Sequence, residues 1–250
     1  MFNKFDQAFN TDMPATKTAP AAARRKSDAP PRPDRQQAIL LAAEKLFAQR
    51  GYHAVTIRQI AEEARVPLAL VAYYYGPKQA LFHAVFAHWS QTIDERLQAL
   101  ETASRNPADP DTLTRIVEAF VQPVIRMRSS PEGRYYAQLV GRELAYNSEE
   151  ADRVLRDFFD PMAHRFIDAL HQALPEGSRA DAAWGYQFAL GSLLHHLVDD
   201  RVERLSLHLN RASDPAASER LVRFIVGGLR AAMPVPVQKK PPTPPRRRQA

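Results

Sequence analysis

Residues 56–78 read TIRQIAEEARVPLALVAYYYGPK, with three consecutive tyrosines, Tyr73, Tyr74 and Tyr75, just before a Gly76-Pro77 stop. Neighbouring residues on a helix point about 100° apart, so three in a row sweep roughly 200° and cannot all face one core. At least one must meet water or a partner. Thr56 with Gln59 three positions on is a capping-box pattern, which opens a helix that buries Ile57, Ile60, Ala61 and Ala64. Pro67 suits the first position of the next helix, where its missing N–H has no role, and Gly76-Pro77 ends that helix. The two meet across Ala64-Arg65-Val66. Two short helices joined by a tight turn form the helix-turn-helix arrangement, whose second helix enters a major groove while the first lies across the backbone.

On that second helix Val71 and Tyr75 are i, i+4 partners facing inward, which leaves Ala69, Ala72 and Tyr73 outward and Tyr74 on a flank. The phenols of Tyr73 and Tyr74 can donate to phosphate oxygens, and Lys78 opens the following helix, where its ammonium and the helix N-terminus both suit a phosphate. The competing reading, an aromatic helix end that simply completes a core, stays open.

Upstream, Asp34 caps a first helix carrying Ile39, Ala42, Ala43, Leu46 and Phe47 at core spacing, and Gly51 ends it. Downstream, a fourth helix is expected over 78–101, then helices over about 111–128, 132–146, 148–158, 161–174, 179–208 and 216–232. With no period-2 strand pattern, the fold class is all-α. A helix-turn-helix three-helix domain over 34–80 (motif 56–75) leads into a helical bundle over 81–233.

The flanks differ in kind. Residues 1–33 are rich in Pro, Ala and Lys/Arg, and residues 234–250 in Pro and Arg, so both read as disordered tails. They carry +3 and +5 of the chain's net +6, and the remainder splits into a basic head over 35–78 and an acidic body over 79–233. That asymmetry points the head towards a polyanion. The 250 residues contain no cysteine, which removes disulfides and thiolate metal sites and fits a reducing compartment. No apolar run approaches a bilayer-spanning length and no secretory leader is visible, so a cytoplasmic protein without a membrane partner is expected.

Residues 35–82 resemble the DNA-binding domain of TetR-family transcriptional regulators: a helix ending LFAQRGY, then VTIRQIAEEARV, a helix closing on a tyrosine-aromatic pair, and Gly-x-Lys before an apolar helix. The resemblance implies phosphate contacts from Thr56, Tyr73, Tyr74 and Lys78, and base contacts from Arg58, Leu68, Ala69 and Ala72. Three departures stand out. Arg65 occupies a turn position usually held by glycine, Pro67 replaces a Ser-type cap, and Pro77 replaces the Ser or Asn usually found before Lys78.

The resemblance further implies a palindromic double-stranded DNA operator and a homodimer formed through the last two long helices. It also implies a small effector of unknown identity bound in the body, whose arrival releases a repressor. Small residues Ala183, Gly185, Ala189, Gly191 and Ser192 permit close helix approach, between copies or within one chain. Phe120, Tyr135, Tyr136, Phe158, Phe159, Trp184 and Phe188 are candidates to wall an apolar effector pocket, or are core rings. No P-loop, G-x-G-x-x-G, H-E-x-x-H or G-x-S-x-G motif is present, so no cofactor and no enzyme activity is expected. The alternative is a metal-dependent helical-bundle enzyme built on the i, i+4 pairs His195/Asp199 and His196/Asp200, with His164 and His171.

Overall fold

The computed structural model describes residues 34–128, 130–146, 148–212 and 214–233, and contains helices but no strand among them. The two tail segments, expected to be disordered, lie outside the described residues.

Helix α1, Arg35–Arg50, starts on Asp34, whose carboxylate accepts from the backbone N–H of Gln36 at 3.0 Å, and ends at Gly51 with φ +83°. Helix α2, Ile57–Glu63, opens on the complete Thr56/Gln59 capping box. Helix α3, Leu68–Tyr75, begins one residue later than expected, so Pro67 is its cap and not its first residue. Arg65, in the turn between them, takes φ +55°, a left-handed conformation that costs an L-residue about 1 kcal/mol. The turn accepts that strain because Val66 N–H bonds back to Ala61 C=O at 3.0 Å and closes it.

The fourth helix is not continuous. Helix α4, Lys78–His88, and α5, Ser90–Ala103, are separated at Trp89. Helical spacing alone had carried one helix to residue 101. The break arises because the Trp89 indole is claimed elsewhere: its N–H donates to Glu44 of α1 at 2.8 Å and its ring stacks on Tyr136 at 5.2 Å.

The body follows: α6 (Thr112–Arg128), α7 (Pro131–Tyr146), α8 (Glu149–Val154), a π-helical turn (Leu155–Phe159), α9 (Asp160–Ala173), α10 (Arg179–Val198), α11 (Val202–Leu205) and α12 (Ala217–Ala232). The expected 179–208 helix divides because Asp199 adopts extended backbone and its carboxylate caps the next turn through the N–H of Arg201.

Two hydrophobic cores result. One joins α1–α4, centred on Phe47, Phe82, Val71 and Ile60, and takes in Tyr136, Leu139 and Val154 from the body. The other fills the bundle around Ile116, Phe120, Phe166, Leu193 and Leu229. Met127, Phe158 and Phe159 pack against both. Helix α7 lies along α1, and the Arg142 guanidinium donates to the carbonyls of Ala48 and Gln49, covering the negative end of α1. The physical seam between head and body therefore runs through α7 and Trp89.

Candidate functional site

The outer surface of the head is built by α3. Val71 is fully buried and Tyr75 is half-buried, its hydroxyl donating to the Gln36 carbonyl at 2.9 Å. That anchor turns the remaining residues outward. Leu68 is 47% exposed, Tyr73 78% and Tyr74 36%, with Ala69 and Ala72 exposed beside them. The Tyr73 and Tyr74 rings meet edge to face at 5.1 Å, which stiffens the pair without tying up either hydroxyl. So the three tyrosines divide as their helical spacing requires: one inward, two out.

Thr56 is exposed at the start of α2, its side chain spent on the capping box, and Arg58 is exposed two residues on. Thr56, Arg58, Leu68, Ala69, Ala72, Tyr73 and Tyr74 thus all reach the surface of the head.

Lys78 is employed differently. Its ammonium donates to the carbonyls of Tyr52 and Val55 at 2.9 and 3.0 Å and lies 4.1 Å from the Tyr52 ring centre. Burial pulls its pKa down, against the opposing pull of Glu150. An ammonium has three protons, so a phosphate at Lys78 would take the one left over, and the side chain's larger service is to clamp the loop that leads into α2.

The seven candidate pocket rings scatter. An apolar cavity of about 60 Å³ lies in the bundle between α5, α6, α7, α9 and α10. Tyr136 and Phe159 line it. Phe120 is a core ring set edge to face against Phe166 and Tyr186. Phe158 packs on the His83 ring of α4, and Tyr135 lies over a surface groove beside Lys45 and Glu63. Trp184 and Phe188 do not wall a pocket: they are 63% and 61% exposed and stack on each other outside α10, as helical spacing of four residues allows.

The residue that spacing should have flagged is Arg96. It sits on the buried stripe of α5 between Ile93 and Leu100, is 5% exposed, and lines the same cavity. A charge at a core position of an amphipathic helix is a signal legible in sequence, and motif reading passes over it.

The geometry of the described residues lends the metal-enzyme alternative no support. Asp199 is held by Arg201 and His195, and the Arg201 guanidinium's hydrogen bonds bring the carboxyl pKa down to about 2. Asp200 is bonded to Arg128 at 2.9 Å. Among the described residues no three of His, Asp and Glu converge as a metal site.

Comparison with known proteins settles the family. Residues 39–85 match the model described as bacterial regulatory proteins, tetR family, and residues 118–228 match a tetracyclin repressor-like C-terminal domain, so the two together span most of the chain. The chain belongs to the TetR family. TetR-family relatives include the transcriptional activator FasR of Mycolicibacterium smegmatis, 33% identical over 40% of this chain and 45% of that one. Another is the repressor Rv3405c of Mycobacterium tuberculosis, 39% identical over 37% of this chain and 46% of its own. The chain thus spans less than half the length of either relative.

Among solved structures, the hemolysin II regulator HlyIIR superposes with a TM-score of 0.56 at 18% identity, covering 76% of this chain and 96% of that one. The fatty acid degradation regulator FadR from Bacillus halodurans gives 0.52 at 15%, covering 80% and 98%. These two establish the TetR-type all-helical fold alone. Among the described residues no helix is long and apolar enough to cross a membrane.

Proposed function

We propose that this protein is a transcriptional regulator that binds a palindromic DNA operator as a homodimer and is released from it by a small apolar effector held in the bundle. The observation that carries the reading is the outer face of α3. A short helix keeps Val71 and Tyr75 for the core and commits Leu68, Ala69, Ala72 and Tyr73 to solvent, an arrangement with no folding benefit. Small and apolar side chains there let the helix backbone approach base edges and pack on thymine methyls, while Arg58 suits a guanine edge and the tyrosine hydroxyls suit flanking phosphates.

Dimerisation is supported by the outer faces of α10 and α12. Trp184, Phe188 and Phe224 are exposed, and Gly191, Gly227 and Gly228 have open space around them, which leaves room for a second backbone. Gly185 serves the other purpose, since a Cβ there would meet Leu229 of α12 at 2.6 Å: it packs helices within the chain. Two-fold pairing presents α3 twice, so the half-sites fall on one face of the duplex about 34 Å apart or a multiple of it. Coupling between effector and head is supported by the chain Tyr136–Trp89–Glu44 and by Phe158 and Phe159 on the π turn, which touch both cores. Such turns often mark functional strain in helices.

Relatives named as an activator and as a repressor do not share one sign of regulation; for this protein the proposal is repression with release in the cytoplasm. Selection of bound DNA from a random library by the purified chain tests it. An inverted repeat should emerge, bound by a dimer; recovery of sequences without symmetry, at equal affinity to random DNA, overturns it.

A further inference from the structure

Arg96 poses a problem that the fold alone does not solve. Its guanidinium is buried in the bundle, and its Nε and Nη2 have no hydrogen-bond partner among the described residues. The faces of the group are used: Cζ lies 4.6 Å from the Phe120 ring centre and 5.6 Å from that of Phe166. Cation–π contact engages the plane's faces and leaves its in-plane N–H donors empty. Burial lowers the pKa of the group, but arginine keeps its charge at any physiological pH. An unpaired buried charge is among the costliest things a core can hold.

The neighbourhood is equally one-sided. The hydroxyl of Tyr136 is buried and also lacks a partner. Both side chains line the cavity described above, and of the described residues around it Arg96 alone is charged. Thr92 and Tyr186 are the other residues there with a polar group; the rest of the wall is apolar, with Leu190, Leu194 and Leu197 along α10.

We infer that this cavity binds an apolar monocarboxylate, its carboxylate bridging Arg96 and Tyr136 and its hydrocarbon body lying against α10. A guanidinium offers a planar fork that matches a carboxylate bidentately, and Tyr136 supplies one further donor. The single positive charge suits a monoanion; a phosphate dianion would leave net negative charge in an apolar wall. A cavity of about 60 Å³ admits the headgroup and its first carbons, so a longer chain must part α7 from α10. That parting shifts Tyr136, on which Trp89 is stacked. The inference rests on the effector-responsive reading above and gives the effector its chemical class.

The test is calorimetric titration of the full chain with octanoate, octanol and octylammonium. Octanoate should bind at least about tenfold more tightly than octanol, with octylammonium weakest, because only the first completes the charge-assisted pair. Affinity should rise roughly fourfold per methylene between butanoate and octanoate. Arg96→Met should abolish the preference for acid over alcohol while leaving octanol binding intact. Tyr136→Phe, which removes one donor, should weaken octanoate several-fold and serves if Arg96→Met fails to fold.

Equal affinities for octanoate and octanol in the native chain would overturn the inference, as a water filling Arg96's empty donors would produce. So would a failure of every carboxylate to bind. Operator affinity is measured in parallel. Octanoate that binds selectively yet leaves operator affinity unchanged supports the carboxylate site and contradicts effector release; loss of carboxylate binding with an intact inverted-repeat preference contradicts the site and leaves DNA recognition standing.

Discussion

The outer face of α3 and the interior of the bundle break the burial rule in opposite directions. The head holds Leu68, Tyr73 and Tyr74 in water, where they gain nothing from folding, whereas the bundle holds Arg96 in an apolar core, where it costs stability. In each place the surrounding structure over-determines the exception. Tyr75 and Val71 pin α3 from below, and the stripe of Ile93 and Leu100 drags Arg96 inward because both neighbours must be buried. These exceptions are the places where the proposed DNA and carboxylate partners would act. On that proposal the comparison separates residues that hold the protein together from residues that meet a partner.

Its sharpest form sets two aromatic residues of the head against each other. Phe47 is fully buried and meets Phe82 edge to face at 5.3 Å, so Phe47→Ala should cost about 3–5 kcal/mol in urea unfolding. Tyr73→Ala should stay within about 0.5 kcal/mol of the native chain while weakening DNA binding. Equal destabilisation by both would return Tyr73 to the core and break the comparison.

Arg58 comes next. Arg58→Ala should relax preference at one base pair of each half-site by roughly 1–3 kcal/mol, read from the sequences recovered by selection. An unchanged preference would move Arg58 to the phosphate backbone.

Lys78 tests whether a head residue can belong to both classes. Lys78→Met leaves the carbonyls of Tyr52 and Val55 without their donor and should lower stability by about 1–3 kcal/mol. If its role is the clamp, the slope of affinity against salt stays constant; a fall of about one would assign its remaining proton to a phosphate.

Arg65→Gly should raise stability by up to about 1 kcal/mol, since glycine takes positive φ without the clash between Cβ and carbonyl. No gain would mean that the Arg65 side chain compensates for its backbone strain.

The smallest effect concerns His196. Burial first, and Arg128 second, push its pKa below the ordinary 6.5. Above that value the imidazole is neutral in both folded and unfolded chains and its contribution is fully present. As pH falls through 6.5 towards the lower folded pKa, the unfolded chain takes the proton first and stability declines. His196→Gln should remove this component of a melting-temperature profile measured between neutral and mildly acidic pH, and an unaltered profile would show that His196 stays solvated.

The capping box at Thr56, the Asp34 cap, the Gly51 stop and the division of the three tyrosines were all readable from the chain, because each is decided within a few residues by backbone donors and helical periodicity. The Arg65 turn was flagged only by the family resemblance, which places glycine there, and its positive φ came from the structure. Trp89 and Lys78 were not readable in that way, and for Arg96 the buried stripe of α5 was legible whereas its lack of a partner was not. The break between α4 and α5 depends on Glu44 and Tyr136, which lie 45 residues upstream of Trp89 and far downstream of it. Lys78 was read as reaching outward, and only the position of the preceding loop turns its ammonium onto two carbonyls. Trp184 and Phe188 carry the same composition as pocket rings, and nothing local says which side of α10 meets the bundle. Local hydrogen bonding and side-chain periodicity determined the three helices of the head and the exposed face of α3 from sequence by itself. Which buried groups lack partners, and where the cavity lies, was decided by tertiary packing, because satisfaction of a donor depends on atoms brought near by the whole fold.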